Sequence, residues 1–371
     1  MPTTIDKQTK SEKIVQKNAD EAAQISHAPP RTVIGWQGIR FTLPPEWNLT
    51  GFSMDRDNGY LRVDSPGNGT ITVQVRWSKP DKPPSVGTSL YAMTLAPLLQ
   101  RFSKKPLAMT GTPDLKANLE KMFLETAKQS KKAKTPFESH IKPEKTEGPD
   151  GERTAMNFSW TGEGRGQGKI WSCSRCKRVV IAQVVGLARD QSAISAIASQ
   201  LFSTLHDHAE DGLDLWALYD LQVKVPEDFL LEEQKLLSGY LSLTFGRKGE
   251  KIFVDRWGLA KMTLKKFTTE EWFQNNAQVS LKKLKKDVVE TSSTHEVSRF
   301  SGPLSIFSRI KILKDAKNSL RRFPSKYEGG VWVCEESNKI FSLQVMSSKL
   351  SKEVFTTTLD HIHCHSIGEQ K

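Results

Sequence analysis

The chain has 371 residues, 37% of them apolar and 26% charged, with a formal net charge of +12, and is long enough for two ordinary domains that each bury a core unaided by disulfides or metal. Its longest near-continuous apolar run, Val179 to Ala188, is broken by Gln183 and falls far short of the roughly 20 residues a membrane-spanning helix needs. Four cysteines without an export signal argue for reduced thiols and against a disulfide framework.

Residues Met1 to Arg31 are polar, mixed in charge and closed by Pro29-Pro30; they lack both the apolar centre of a signal peptide and the acid-poor bias of a transit peptide, which predicts a disordered tail on a cytoplasmic protein. Alternation then predicts strands over Ile39 to Leu43 and Thr70 to Trp77, with Ile71, Val73, Val75 and Trp77 on one face. Leu115, Leu119, Met122 and Phe123, after Thr112-Pro113-Asp114, predict a helix. The stretch from Lys131 to Gly151 reads as a mobile loop. A hairpin through Trp171 to Val185 follows, then a helix marked by Ile194, Ile197, Leu201 and Leu205.

After a short linker, His206 to Leu213, the series starts again. Strands are predicted over Tyr240 to Phe245 and Lys251 to Trp257, and a helix over Thr269 to Val288 carrying Phe273, Ala277, Leu281, Leu284 and Val288. A hairpin from Trp332 to Val345 leads to a last helix marked by Val354, Phe355, Leu359 and Ile362. Each half thus reads as three strands, a helix, two strands and a helix.

The two halves also share rare residues. Trp36, Gly59-Tyr60-Leu61 and Arg76-Trp77 are answered by Trp216, Gly239-Tyr240-Leu241 and Arg256-Trp257, each 180 positions on. Ile170-Trp171 and Cys173 are answered by Val331-Trp332 and Cys334 at an offset of 161. A collinear series with several tryptophans points to internal duplication. The expected fold class is α+β: a tandem repeat of two similar domains, residues 32–207 and 208–371, each an antiparallel sheet packed with helices.

Residues Phe41-Thr-Leu-Pro-Pro-Glu-Trp47, Leu221-Gln-Val-Lys-Val-Pro-Glu-Asp-Phe229 and Gln200-Leu-Phe-Ser-Thr-Leu205 resemble the PsbP-like family. Its domains open with an apolar strand and a Pro-Glu turn and close with a hairpin and a C-terminal helix. Its members include photosystem-associated proteins, a nuclear-transport GTPase-binding protein and chaperones that load secretion effectors. The resemblance implies a non-catalytic, protein-binding role; this chain differs in being tandem and basic.

Among chemical motifs, Cys173-Ser-Arg-Cys176 is the sharpest: at a hairpin tip it can aim two thiolates at one tetrahedral metal such as zinc. No second CxxC exists, so His206 and His208, or His361, His363 and His365, would have to complete the site. The competing expectation is that Cys173 and Cys334, at matching places beside a Trp, are small, buried, unliganded core residues. A redox dithiol would open a helix, whereas this one lies between strands. Gly162 to Gly168 followed by Lys169-Ile170 departs from a phosphate loop, which needs Ser or Thr after the Lys and a helix to open. His361, His363 and His365 read as a polar helix end. No catalytic set is recognised.

Charge is unevenly spread. Residues 78–150 hold 13 Lys/Arg and 8 Asp/Glu, residues 261–322 hold 14 and 6, and the rest of the chain nets −1. Lys282, Lys283, Lys285, Lys286, Arg321 and Arg322 form the candidate basic patch, able to attract an acidic protein, anionic lipid or nucleic acid. On the expected helix, Lys282, Lys283 and Lys286 would lie opposite the apolar face. The expected function is a non-catalytic cytoplasmic protein-binding module, an adaptor, accessory subunit or chaperone, whose paired repeats suit a symmetric, elongated or acidic partner. The alternatives are a nucleic-acid-associated protein and, third, a metal-dependent enzyme.

Overall fold

The computed structural model describes residues 31–67, 69–79, 114–148, 151–209, 211–291, 295–305, 324–348 and 352–364. Residues 1–30 of the expected tail, residues 80–113, Arg321, Arg322 and His365 therefore lie outside the described residues.

The first half runs β1 (Thr32–Trp36), β2 (Ile39–Leu43), β3 (Asn48–Phe52), β4 (Asn58–Asp64), β5 (Thr72–Ser78), α1 (Leu115–Lys132), β6 (Glu138–Gly148), β7 (Gly151–Thr161), β8 (Arg165–Ser172), β9 (Val179–Gly186) and α2 (Gln191–Thr204). The second runs β10 (Leu213–Leu218), β11 (Leu221–Pro226), β12 (Leu230–Leu237), β13 (Tyr240–Arg247), β14 (Glu250–Gly258), α3 (Ala260–Thr263), α4 (Thr269–Asn276), β15 (Lys285–Glu290), β16 (Glu296–Pro303), β17 (Lys326–Cys334), β18 (Lys339–Ser347) and α5 (Lys352–Asp360).

These strands make three antiparallel sheets. One has the order β3-β4-β5-β9-β8-β7-β6, another β12-β13-β14-β18-β17-β16-β15, so corresponding strands occupy corresponding ranks. The third is the four-stranded sheet β11-β10-β1-β2, in which each half contributes one hairpin. The β1–β2 hairpin closes on Gln37 and Gly38, both at positive φ, as a two-residue turn between twisted strands requires. Where β1 meets β10, Gly35 pairs with Ala217; a Cβ on Gly35 would stand 2.5 Å from the Leu215 carbonyl oxygen, so only glycine lets the two backbones approach. One step along that antiparallel register Trp36 comes opposite Trp216, and their rings meet edge to face at 5.0 Å.

Packing divides into one shared core and two satellites. The shared core contains Trp36, Phe41, Trp77, Trp171 and Leu201 from the first half with Trp216, Phe245, Trp332 and Phe355 from the second, all buried. On the far face of the first sheet, α1 lays Leu115, Leu119 and Phe123 against Phe158, Ile170 and Ile181. On the far face of the second, α4 lays Trp272 and Phe273 against Phe300, Tyr327 and Met346. The central strands are therefore covered on both sides, which is why β9 reads Val-Val-Ile-Ala-Gln-Val-Val-Gly rather than alternating.

Several expectations need correction. The stretch Lys131 to Gly151 is not a loop: it contains the end of α1 and the edge strand β6, which pairs only with β7, and an edge strand can be polar on both faces. The helix expected over Thr269 to Val288 stops at Asn276, where Ala277 turns to extended backbone; Lys285 and Lys286 begin strand β15 instead. Each half has more strands than expected. Trp77 and Trp257, matched by the 180-residue offset, do not hold equivalent places. Trp77 pairs with Val180, itself opposite Trp171, and belongs to the shared core. Trp257 pairs with Ile340, opposite Val333, and packs on the far face against Trp272, ring centroids 4.5 Å apart. The cause is the hairpin connection, which spans Ser65 to Ile71 in the first half but only Lys248-Gly249 in the second.

Candidate functional site

The β8–β9 turn and the segment leaving α2 meet at one corner. The turn is tied by Cys173 N–H donating to Arg178 O (2.9 Å) and Lys177 N–H donating to Cys173 O (3.1 Å), with Lys177 left-handed at φ 58°. That geometry brings Cys173 and Cys176 to one side, and the Cys176 amide donates to the Cys173 sulfur at 3.4 Å. Beyond α2, His206 bridges Arg40 through both backbone bonds, fixing the next two residues over the turn. Asp207 is fully buried; its Oδ2 accepts from the Trp171 indole at 2.7 Å and its Oδ1 lies 2.7 Å from His208 Nδ1. The same Nδ1 is 3.5 Å from the Cys173 sulfur. One ligand atom from each of Cys173, Cys176, Asp207 and His208 lies within 4.8 Å of all the others.

Electrostatics at the corner is dominated by a buried cation. Arg178 donates to the carbonyls of Gln37 and Arg56 at 2.8 Å and of Asp207 at 3.4 Å, and its guanidinium lies over Trp77. Arg56 in turn donates to Asp214 at 2.6 Å, linking the halves. The hydrogen bond with Cys176, aided by backbone amides, holds the Cys173 thiol below its ordinary value against burial and the Asp207 charge. Cys176 moves the other way, raised by that shared bond, burial and Asp207. A Cys–His–Asp relay is not formed, because a relay uses both imidazole nitrogens and here one nitrogen faces both partners.

The matching corner of the second half repeats the turn with other side chains. Ser337 N–H donates to the Cys334 sulfur at 3.5 Å and Asn338 is left-handed at φ 53°. Past α5, His363 bridges Gln222 as His206 bridges Arg40. His295 Nε2 lies 3.0 Å from the Cys364 sulfur, and one ligand-capable atom from each of His295, Cys334 and Cys364 lies within 4.8 Å of the others. Burial, with Cys334 beside it, pushes the Cys364 thiol up to about 12.

Cys173 and Cys334 are buried, as expected of them. The structure unites Cys173 and Cys176 with His208, one of the five histidines the sequence offered, and adds Asp207. The signal for Asp207 was only its place beside His208; His295, on the β15–β16 turn, carried none. His361 donates from its ring to Thr357 O at 2.7 Å, as a helix-end residue does. Lys282, Lys283, Lys285 and Lys286 are exposed around the start of β15, and Lys286 pairs with Glu270 at 2.6 Å. No helix among the described residues is long and apolar enough to cross a membrane.

No family model and no curated protein sequence matches the chain. Among solved structures, the solution structure of cyanobacterial PsbP (CyanoP) from Synechocystis sp. PCC 6803 aligns with 49% of this chain and 96% of its own, at 8% identity and a TM-score of 0.29. That is a weak resemblance at the level of fold.

Proposed function

We propose that the chain is a non-catalytic cytoplasmic protein-binding module, an adaptor, accessory subunit or chaperone, made of two similar α+β domains, residues 32–207 and 208–371. The observation that carries this reading is the joint between them: two sheets of identical strand order are fused through a four-stranded sheet in which Trp36 meets Trp216. Two like units related across such a joint present like surfaces in fixed register, which suits a symmetric or elongated partner. Support also comes from exposed apolar side chains in the second half. Gly258 N–H donates to Gly239 O, gathering Leu237, Leu259 and Met262, each more than half exposed, at one corner beside Lys261. The test is to purify the tagged chain from its own host and identify what accompanies it. One protein at fixed stoichiometry, lost on replacing Leu237, Leu259 and Met262 with Ser, is the expected result; recovery of the chain alone or with nucleic acid would count against it.

The exposed lysines at the β15 edge favour one second reading, association with nucleic acid. Replacing Lys282, Lys283 and Lys285 with Gln, while leaving the ion-paired Lys286, separates the two. Phosphate contacts give an affinity that falls log-linearly with salt, about −0.9 per neutralised phosphate on duplex DNA, whereas an acidic protein partner changes mainly in association rate.

A further inference from the structure

We propose that Cys173, Cys176, Asp207 and His208 form a closed structural site for one zinc-class divalent cation, clamping the β8–β9 turn to the segment that enters the second half. Bonds of about 2.0–2.3 Å on a tetrahedron set neighbouring ligand atoms about 3.3–3.8 Å apart, and the Cys173 sulfur already lies 3.5 Å from His208 Nδ1. The Asp207–His208 contact, 2.7 Å, has to open by about half an ångström to reach that range, which a small side-chain rotation in adjacent residues allows.

The outer contacts are those a metal site uses to orient its ligands. The Trp171 indole holds Asp207 Oδ2, leaving Oδ1 turned to the cluster. The Cys176 amide points at the Cys173 sulfur. Two thiolates, one carboxylate and a divalent cation sum to one negative charge, and the buried Arg178 guanidinium, donating to Asp207 O, stands beside them. Thiolate and imidazole donors select zinc over magnesium or calcium. Both sulfurs bind as thiolates, so uptake depends on pH, and four protein ligands leave no open position for chemistry. The clamp is therefore structural, compatible with a protein-binding role and independent of it.

The test uses the untagged full-length chain, expressed with zinc and analysed for metal, and the metal-free chain titrated with Co²⁺ under reducing conditions. The parent should carry one more equivalent than Cys176→Ser or His208→Ala, and cobalt should give thiolate charge-transfer and tetrahedral d–d bands that Cys173→Ser lacks. If Cys176→Ser fails to fold, Cys176→His, which keeps a ligand, should fold and retain the equivalent. A reduced parent that takes up neither metal, or a folded Cys176→Ser variant that keeps the parent's full complement, overturns the proposal.

Discussion

The β8–β9 corner and the β17–β18 corner each set a left-handed residue, Lys177 or Asn338, four positions after a cysteine whose sulfur accepts a backbone amide, yet different side chains fill them. In the first, Asp207 satisfies the Trp171 indole; in the second, Cys364 takes the matching place and the buried Trp332 indole nitrogen has no partner among the described residues. The central strands diverge in the same way. Rank for rank along the ladders, Arg76 and Asp255 occupy the same site on the far faces of the two sheets: a half-buried cation near Tyr60 and Glu125 in one, a buried carboxyl among Tyr240, Ser242 and Ser342 in the other. Strand order is thus common to the two sheets while the polar groups inside them differ, because strand order depends on which positions are apolar and little on which charge an interior site compensates.

The sharpest way to break this comparison is at the tryptophans. Trp36→Ala and Trp77→Ala each empty the shared core and should cost about 3–5 kcal/mol; Trp257→Ala, partly exposed on the far face, should cost about half as much. Urea unfolding decides it, and equal losses at Trp77 and Trp257 would restore them as equivalents. Next, Ser337→Cys supplies a fourth ligand at the second corner, beside His295, Cys334 and Cys364. Metal analysis should then show one further equivalent, and an unchanged count would mean that the two corners differ by more than that residue.

Asp255 offers a smaller, pH-dependent effect. Burial holds its carboxyl above the usual range, against hydrogen bonds from Ser242, Tyr240 and Ser342. A folded value above the unfolded one means that folding favours the protonated form: the contribution is full below the unfolded pKa, about 4, and is lost as pH rises through the folded value. Asp255→Asn should therefore stabilise at pH 7 to 8 by on the order of 1 kcal/mol and be near neutral in acid. Thermal unfolding across that range checks it, and a variant less stable at pH 8 than at pH 4, relative to the parent, reverses the sign. Smallest of all, replacing Lys282, Lys283 and Lys285 with Gln should leave stability within about 0.5 kcal/mol, since these side chains lie exposed; a larger loss would give them a structural role.

What the sequence disclosed follows from burial. Strands covered on both faces, such as β9 and β18, are apolar runs that announce themselves. The edge strands β6 and β15 have one neighbour each and tolerate Lys, Glu and Pro, so their sequences look like loop or helix. The helix expected through Leu281, Leu284 and Val288 arose because apolar residues of a loop and an edge strand happened to fall at helical intervals. The Gly-Tyr-Leu and Arg-Trp matches shared an offset that the ladders do not keep, since a longer β4–β5 connection slides the register. At the corner, the cysteine pair was visible from spacing and His208 from composition, but contact between them needs α2 to return its C-terminal end to the hairpin, and only the three-dimensional path shows that.

The pairing of β1 with β10 sets a clock on synthesis. About 180 residues separate the two strands, so at ribosomal speeds of about 5–20 residues per second, roughly 10–40 s pass between the appearance of one and the other. Throughout that interval β1 offers an unpaired edge, with Gly35 leaving its backbone bare, to any neighbouring nascent chain on the same message. Once β10 emerges, tethering makes the partner in the same chain effectively present at about millimolar concentration, and the intramolecular joint wins. A chain cut short after α2 never receives that partner and should close the joint with a second copy of itself.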